Sequence, residues 1–256
     1  MTEPTHTPFD RYIPPRIDGD FVGKHILSVD QFARKDLQTL FDAASSLRRR
    51  VRESDRGLSE LCNSKIMASL FFEAPTRTDP SFQAAMRRLG GEVISASNGV
   101  QFSSVYKGEN LADTVRAAGC YADVVVLRHP EIGSSYEAAY YLDKLNQQID
   151  NPSVIISGGD GIGEHPTQLL DMFTIHDQKR QFDGLTVTMV GDLRHGRPVH
   201  SLAKLLAIHD APGLRLCFVA PPSLALPETI LSVLHERGIA HYQTADLGEV
   251  LGESDV

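Results

Sequence analysis

The sequence predicts an α/β fold in which two parallel-sheet α/β domains are joined by a long helix, the second domain being incomplete. Three observations carry that prediction. Short β-branched runs alternate with longer stretches of helical period. The runs are continuously hydrophobic, as strands covered on both faces are, instead of alternating with polar residues. A chain of 256 residues, 41% hydrophobic and 23% charged, is long enough to bury one large core or two smaller ones.

The elements follow in order. Leu37 to Arg48 carries apolar residues at three- and four-residue spacing and closes on Arg48-Arg49-Arg50, where cations suit the negative end of a helix dipole. Ile66 to Phe72 reads as a buried strand and Ser81 to Leu89 as the helix after it. Helices over Leu111 to Cys120 and Tyr136 to Leu145 flank a strand over Ala122 to Leu127, and Val154 to Ser157 is the next strand. Pro166 to about Lys179 reads as one long helix and Gln181 to Gly184 as a turn into the strand Leu185 to Val190. A helix over Val199 to Ile208, a strand over Leu214 to Ala220, a helix over Glu228 to Glu236, a strand over His241 to Thr244 and a short helix over Leu247 to Leu251 complete the pattern. This gives a polar extension over 1–24, a first domain over 25–165, an interdomain helix over 166–182 and a second domain over 183–256. The chain stops at Ser254-Asp255-Val256, where a further strand is expected, so the second sheet leaves apolar surface uncovered and reads as truncated.

Composition narrows the function classes. Lys+Arg 25 against Asp+Glu 33 leaves a formal charge of −8, which argues against a nucleic-acid-binding surface yet allows a local anion pocket. No apolar stretch approaches the ~20 residues of a membrane helix. Met1 to Lys24 is polar with no apolar h-region, and Cys62, Cys120 and Cys217 lack CxxC pairing, so a reducing cytoplasm is expected, with the thiols as small buried apolar residues. His195 and His200 lie five apart with no third ligand at helical spacing, so no metal site is expected. GxSxG, Walker A and HExxH patterns are absent.

In open parallel sheets ligands gather beyond the carboxyl ends of strands. The first strand is followed by Glu73-Ala74-Pro75-Thr76-Arg77-Thr78-Asp79-Pro80, whose amides, hydroxyls and guanidinium suit a phosphate at a helix start. A plain capping turn, with Asp79 as N-cap and Pro80 at the first helical position, is the simpler local reading. Arg128-His129-Pro130 puts a cation at the next strand end. Gly158-Gly159-Asp160-Gly161 leads to His165-Pro166-Thr167-Gln168; it lacks the G-x-G-x-x-G order, and its glycines read as a sharp turn before a proline-started helix. Gly191-Asp192-Leu193-Arg194-His195-Gly196-Arg197-Pro198 repeats the strand, loop and helix plan. Cations, hydroxyls, an imidazole and an amide at strand ends, without an obvious nucleophile, suit direct transfer from a phosphorylated anion.

The ordered motifs Phe71-Phe72-Glu73 with Thr76-Arg77-Thr78, Lys107-Gly108-Glu109, Arg128-His129-Pro130, His165-Pro166-Thr167-Gln168, and Val190-Gly191-Asp192-Leu193 through Gly196-Arg197 resemble the aspartate/ornithine carbamoyltransferase family, in register from about His25 to Val256. Asp171-Met172-Phe173-Thr174-Ile175 and Val199-His200-Ser201-Leu202 are similar to its aspartate-specific branch, and an ornithine-specific reading is weaker. The resemblance implies a carbamoyl-phosphate-binding first domain, an aspartate-binding second domain, and transfer of a carbamoyl group from carbamoyl phosphate to L-aspartate in pyrimidine biosynthesis, with no cofactor. It implies that Arg77, Thr76 and Thr78 hold the phosphate, that Thr78, Arg128 and His165 polarise the carbonyl, that Gln168 orients the carbamoyl amide and that Arg197 binds an aspartate carboxylate. It also implies a homotrimer in which Ser103 and Lys107 reach into a neighbour's site; a regulatory subunit is left open.

The chain departs from the family pattern where Pro75 replaces a serine and Asp79 an arginine, where one residue is missing after Gln168, and where the family continues beyond Val256. Asp79 at a helix start is expected to compete with phosphate for the same amides, and Pro80 to displace the helix start. These departures sustain an alternative, a catalytically impaired subunit with an assembly or regulatory role.

Overall fold

The computed structural model describes residues 12–54, 56–72, 77–96, 110–161 and 165–256. The chain divides into two compact units, one formed by the residues up to Gln31 with Asp42–Pro166, the other by Phe32–Phe41 with Thr167–Val256. Helix α1 (Arg34–Arg52) contributes to both.

In the first unit β1 (Ile66–Phe71), β2 (Glu92–Ser95), β3 (Val124–His129) and β4 (Val154–Asp160) form a parallel sheet in the order β2-β1-β3-β4. Its helices are α2 (Thr78–Arg88), α3 (Leu111–Gly119) and α4 (Ser134–Asn146). Side chains alternate between faces along a strand, so each strand feeds two cores. Ala68, Leu70, Val125, Leu127 and Ile155 pack with Val115 of α3 and with Ala138, Ala139 and Leu142 of α4. Met67, Phe71 and Val126 face the other way, onto Phe82 and Met86 of α2. The same alternation puts Ser69 on the α2 face, and Arg128 with it, since Arg128 pairs directly with Phe71.

The segment before α1 is tied to β4. The Ile26 amide donates to the Ile155 carbonyl at 2.8 Å and the Ser157 amide to the Ile26 carbonyl at 2.8 Å. Next to it His25, 2% exposed, accepts the Ile155 amide on Nδ1 at 2.8 Å, which leaves Nε2 to donate to Asp143 Oδ1 at 2.9 Å. Tyr12 donates its hydroxyl to Asp143 Oδ2 at 2.7 Å. Burial alone raises the Asp143 pKa, but the hydrogen bonds from His25 and Tyr12 outweigh it and hold the carboxyl below the usual range.

In the second unit β5 (Thr186–Val190), β6 (Arg215–Val219) and β7 (Ala240–Thr244) form a parallel sheet in that order, with α5 (Leu169–Lys179), α6 (Arg197–His209), α7 (Glu228–Glu236) and α8 (Gly248–Leu251). Val187, Met189, Leu216 and Phe218 are buried on one face, while Cys217 and Val219 pack with Val250 of α8 on the other. Asp255 and Val256 lie alongside β5: the Asp255 amide donates to Thr186 and the Thr188 amide to Val256, both at 2.9 Å. Rings of Phe41, His176, Phe182 and His209 stack in series, with Phe41 4.8 Å from His176 and Phe182 4.6 Å from His209.

Four details correct the reading from sequence. Pro166 to Lys179 is not one α-helix: Pro166–Gln168 is a 3-10 turn, α5 begins at Leu169 and it stops at Arg180 in the left-handed region, φ 68°. The change of winding falls directly after Gln168. β2 was not anticipated, because it is a mostly exposed edge strand with only Val93 and Ile94 as apolar signal. β4 runs past Ser157 through Gly158, Gly159 and Asp160. Of the thiols expected inside, Cys217 is buried, Cys62 half-buried and Cys120 exposed.

Replacing Asp143 by Asn removes one acceptor and is expected to lower Tm by ~2–4 °C at neutral pH. Because folding lowers the Asp143 pKa, its stabilisation is present above the ordinary carboxylate value of about 3.9 and lost as pH falls through the lower folded value. Thermal unfolding from pH 7 to pH 2 is therefore expected to show the gap between wild type and D143N closing in acid.

Candidate active site

Helix α2 starts at Thr78, with Arg77 as its N-cap and no side-chain capping bond. The Arg77 carbonyl accepts the Ser81 amide at 3.1 Å. The plain capping reading, with Asp79 at the N-cap, is therefore set aside. Pro80 is the third residue of the helix, inside the first turn where amides lack intrahelical acceptors, so its missing N–H breaks no bond. Asp79, 4% exposed, turns into the fold: its Oδ1 accepts from Ser69 Oγ of β1 at 2.6 Å and from Gln83 Nε2 at 2.7 Å. Oδ1 is thus engaged by one buried and one half-buried donor.

Arg128 reaches the same place from β3. Its Nη1 lies 3.4 Å from Thr78 Oγ1 and donates to it. Strand parity explains why: Arg128 sits on the α2 face, at the carboxyl end of its strand, next to the start of α2. The register between β3 and β4 shifts between Leu127 and His129, an irregularity of the kind that re-aims side chains at sheet rims. His129 accepts the Glu131 amide on Nδ1 at 3.1 Å, and Asp160 Oδ2 accepts the Gly133 amide at 2.9 Å, which fixes the turn after β3.

Gly158 and Gly159 lie between Arg128 and His165. A Cβ on Gly158 would sit 3.4 Å from Arg128 Cβ and 3.2 Å from Phe71 Cζ. A Cβ on Gly159 would sit 2.6 Å from His165 Nδ1, and its φ of +111° is one that side-chain-bearing residues rarely adopt. Gly159 thus leaves room for the His165 ring, while Gly158 packs against Phe71, the Leu127 carbonyl and the base of the Arg128 side chain.

In the second unit Gln168 is 8% exposed in the 3-10 turn, and its Oε1 is buried without a hydrogen-bond partner among the described residues. Arg197 is the first residue of α6, half-buried, with Nη1 likewise buried and unpartnered among the described residues. The loop before it is pinned at Leu193, 1% exposed, whose amide donates to Leu224 O at 3.1 Å and whose carbonyl accepts from His200 Nε2 at 2.7 Å. Asp192 Oδ1 accepts the His195 amide at 3.0 Å, which holds the exposed carboxyl below its usual range. Gly196 is required by close approach, since a Cβ there would lie 2.5 Å from the Asp192 carbonyl. His200, unlinked to any site by sequence spacing, thus anchors the loop that presents Arg197.

Of the sequence-predicted residues, Arg128 meets Thr78, which Arg77 directly precedes, His165 lies beside Gly159 of β4, and Gln168 and Arg197 lie in the second unit. Thr76, Ser103 and Lys107, like Pro75, lie outside the described residues. Gly159→Ala is expected to cost ~1–3 kcal/mol from the backbone conformation and to displace His165. Thermal unfolding and the shift of the His165 ring signals in NMR measure the two effects.

The sequence profile described as aspartate/ornithine carbamoyltransferase, carbamoyl-P binding domain, matches residues 24–177. The multifunctional protein CAD of Squalus acanthias is 48% identical over 237 residues, 92% of this chain and 10% of that protein. The aspartate carbamoyltransferase catalytic subunit of Dichelobacter nodosus is 43% identical over 240 residues, 92% of this chain and 65% of that one. Aspartate transcarbamoylase from Trypanosoma cruzi, solved in complex with carbamoyl phosphate and aspartate, superposes with a TM-score of 0.80 at 39% identity, covering 91% of this chain and 71% of that chain. The chain therefore spans about a tenth of the multifunctional relative and just under two thirds of the catalytic subunit. By this match over most of its length and by its fold, the chain belongs to the aspartate/ornithine carbamoyltransferase family.

Proposed function

We propose that the chain transfers the carbamoyl group of carbamoyl phosphate to L-aspartate, giving N-carbamoyl-L-aspartate and phosphate, and that the first unit binds carbamoyl phosphate and the second aspartate. The observation that carries this reading is the bond from Arg128 to Thr78 at the start of α2, with Arg128 and His165 each beside a glycine at the end of β4. The solved Trypanosoma cruzi relative holds these two substrates.

The neutral amine of aspartate attacks the carbonyl carbon. A C–N bond forms, the C–O bond to phosphorus breaks with its electron pair leaving on phosphate, and the amine gives up a proton. Arg77 and Thr76, with the first amides of α2, hold the phosphate, where the helix dipole adds to the attraction. Thr78, Arg128 and His165 donate to the carbonyl oxygen as it becomes negative, which stabilises the transition state more than the ground state. Gln168 orients the carbamoyl amide and Arg197 binds a carboxylate of aspartate; a buried unpartnered oxygen on the first and a buried unpartnered N–H group on the second suit groups that meet a ligand. No step requires a cofactor. Ser103 and Lys107 complete a neighbour's site in a homotrimer, and the setting is the cytoplasm, in pyrimidine biosynthesis. Among the described residues no helix is long and apolar enough to cross a membrane.

Asp79, one of the departures that favour a non-catalytic subunit, accepts from Ser69 and Gln83 on one oxygen. Calorimetry with carbamoyl phosphate and an assay of carbamoyl-aspartate formation test the reading. Arg128→Ala is expected to lower kcat by about 10²–10³, and Arg77→Ala to abolish measurable carbamoyl-phosphate binding. A folded chain that shows neither binding nor turnover refutes the enzyme.

A further inference from the structure

We propose that Asp79 is a positioning residue that fixes the phosphate grip at the start of α2 to the ends of β1 and β2; this rests on the reading of that helix start as the carbamoyl-phosphate site. Ser69, fully buried in β1, donates to Asp79 Oδ1 at 2.6 Å. Gln83, one turn further along α2, donates to the same oxygen at 2.7 Å and to Ser95 Oγ at the end of β2 at 3.2 Å. The Ala96 amide in turn donates to the Ser69 carbonyl at 3.0 Å. The polar chain Ser69, Asp79, Gln83, Ser95 thus crosses from β1 through the first two turns of α2 to β2. It does so on the face to which strand parity assigns Arg128.

Asp79 directly follows Thr78, whose hydroxyl meets Arg128. Arg77, the N-cap, has no side-chain capping bond of its own. Among the described residues no side-chain capping bond marks where α2 begins, and Pro80 contributes no amide to hold the first turn. The bond from Asp79 to a fully buried strand hydroxyl supplies an anchor. A carboxylate beside an anion site adds nothing to the attraction, so the residue acts through geometry, and an uncharged amide that accepts at the same oxygen serves as well.

Two variants and two readouts test this. In the free chain, Asp79→Ala is expected to speed hydrogen exchange of the Ser81 amide, which closes the first turn on Arg77, by about tenfold, while Asp79→Asn leaves it within about threefold of wild type. With carbamoyl phosphate as the probe in calorimetry, D79A is expected to weaken binding by about tenfold or more and D79N to restore it to within about threefold or to tighten it. Circular dichroism confirms that both variants fold. Wild-type exchange and binding in folded D79A overturn the proposal, as does a D79N as impaired as D79A. Arg77→Ala is the separate control: binding insensitive to R77A refutes the site itself, while the exchange readout still decides whether Asp79 sets the helix start.

Discussion

The register of β1, β3 and β4 is the constraint on which the first unit depends. All three strands are parallel and buried on both faces, so a one-residue slip would carry every side chain from one core to the other. With Met67, Phe71 and Val126 committed to α2, and Ala68, Leu70, Val125 and Leu127 to α3 and α4, no freedom remains at the carboxyl ends. Arg128 then has to emerge on the α2 side, and Thr78 has to be the group it meets. The chemistry at the strand ends is a consequence of apolar packing one or two residues earlier.

Glycine plays the complementary part. Where His165 approaches the end of β4, a side chain at Gly159 would fill the space that its ring uses. Packing thus sets where Arg128 emerges, and a missing Cβ admits the His165 ring. Electrostatics comes last: in a chain whose net charge is −8, the start of α2 and the guanidinium groups beside it supply positive potential that is local and not a property of the whole surface.

Much of this was legible in the sequence because continuous hydrophobic runs report strands buried on both faces. The run Ala122 to Leu127 is of that kind and contains most of β3 (Val124–His129), and the α7 boundaries at Glu228 and Glu236 were found as they stand. β2 escaped because an edge strand with an exposed outer face needs few apolar residues. The 3-10 turn at Pro166–Gln168 escaped because its residues are compatible with an α-helix start, and only hydrogen bonding tells the two apart. At the site, the meeting of Arg128 with Thr78 and the close approach of Gly159 to His165 were hidden, since contacts between segments remote in sequence leave no local pattern. The bond from Ser69 to Asp79 was hidden for the same reason: the two lie ten residues apart, on different elements.

A crystal structure of the chain soaked with carbamoyl phosphate tests the central claim most directly. The account predicts the phosphate at the start of α2 next to Arg77, and the carbonyl oxygen within about 3.2 Å of Thr78 Oγ1, the Arg128 guanidinium and the His165 ring. Ligand density away from this strand end, or the three side chains turned from a bound ligand, would contradict it.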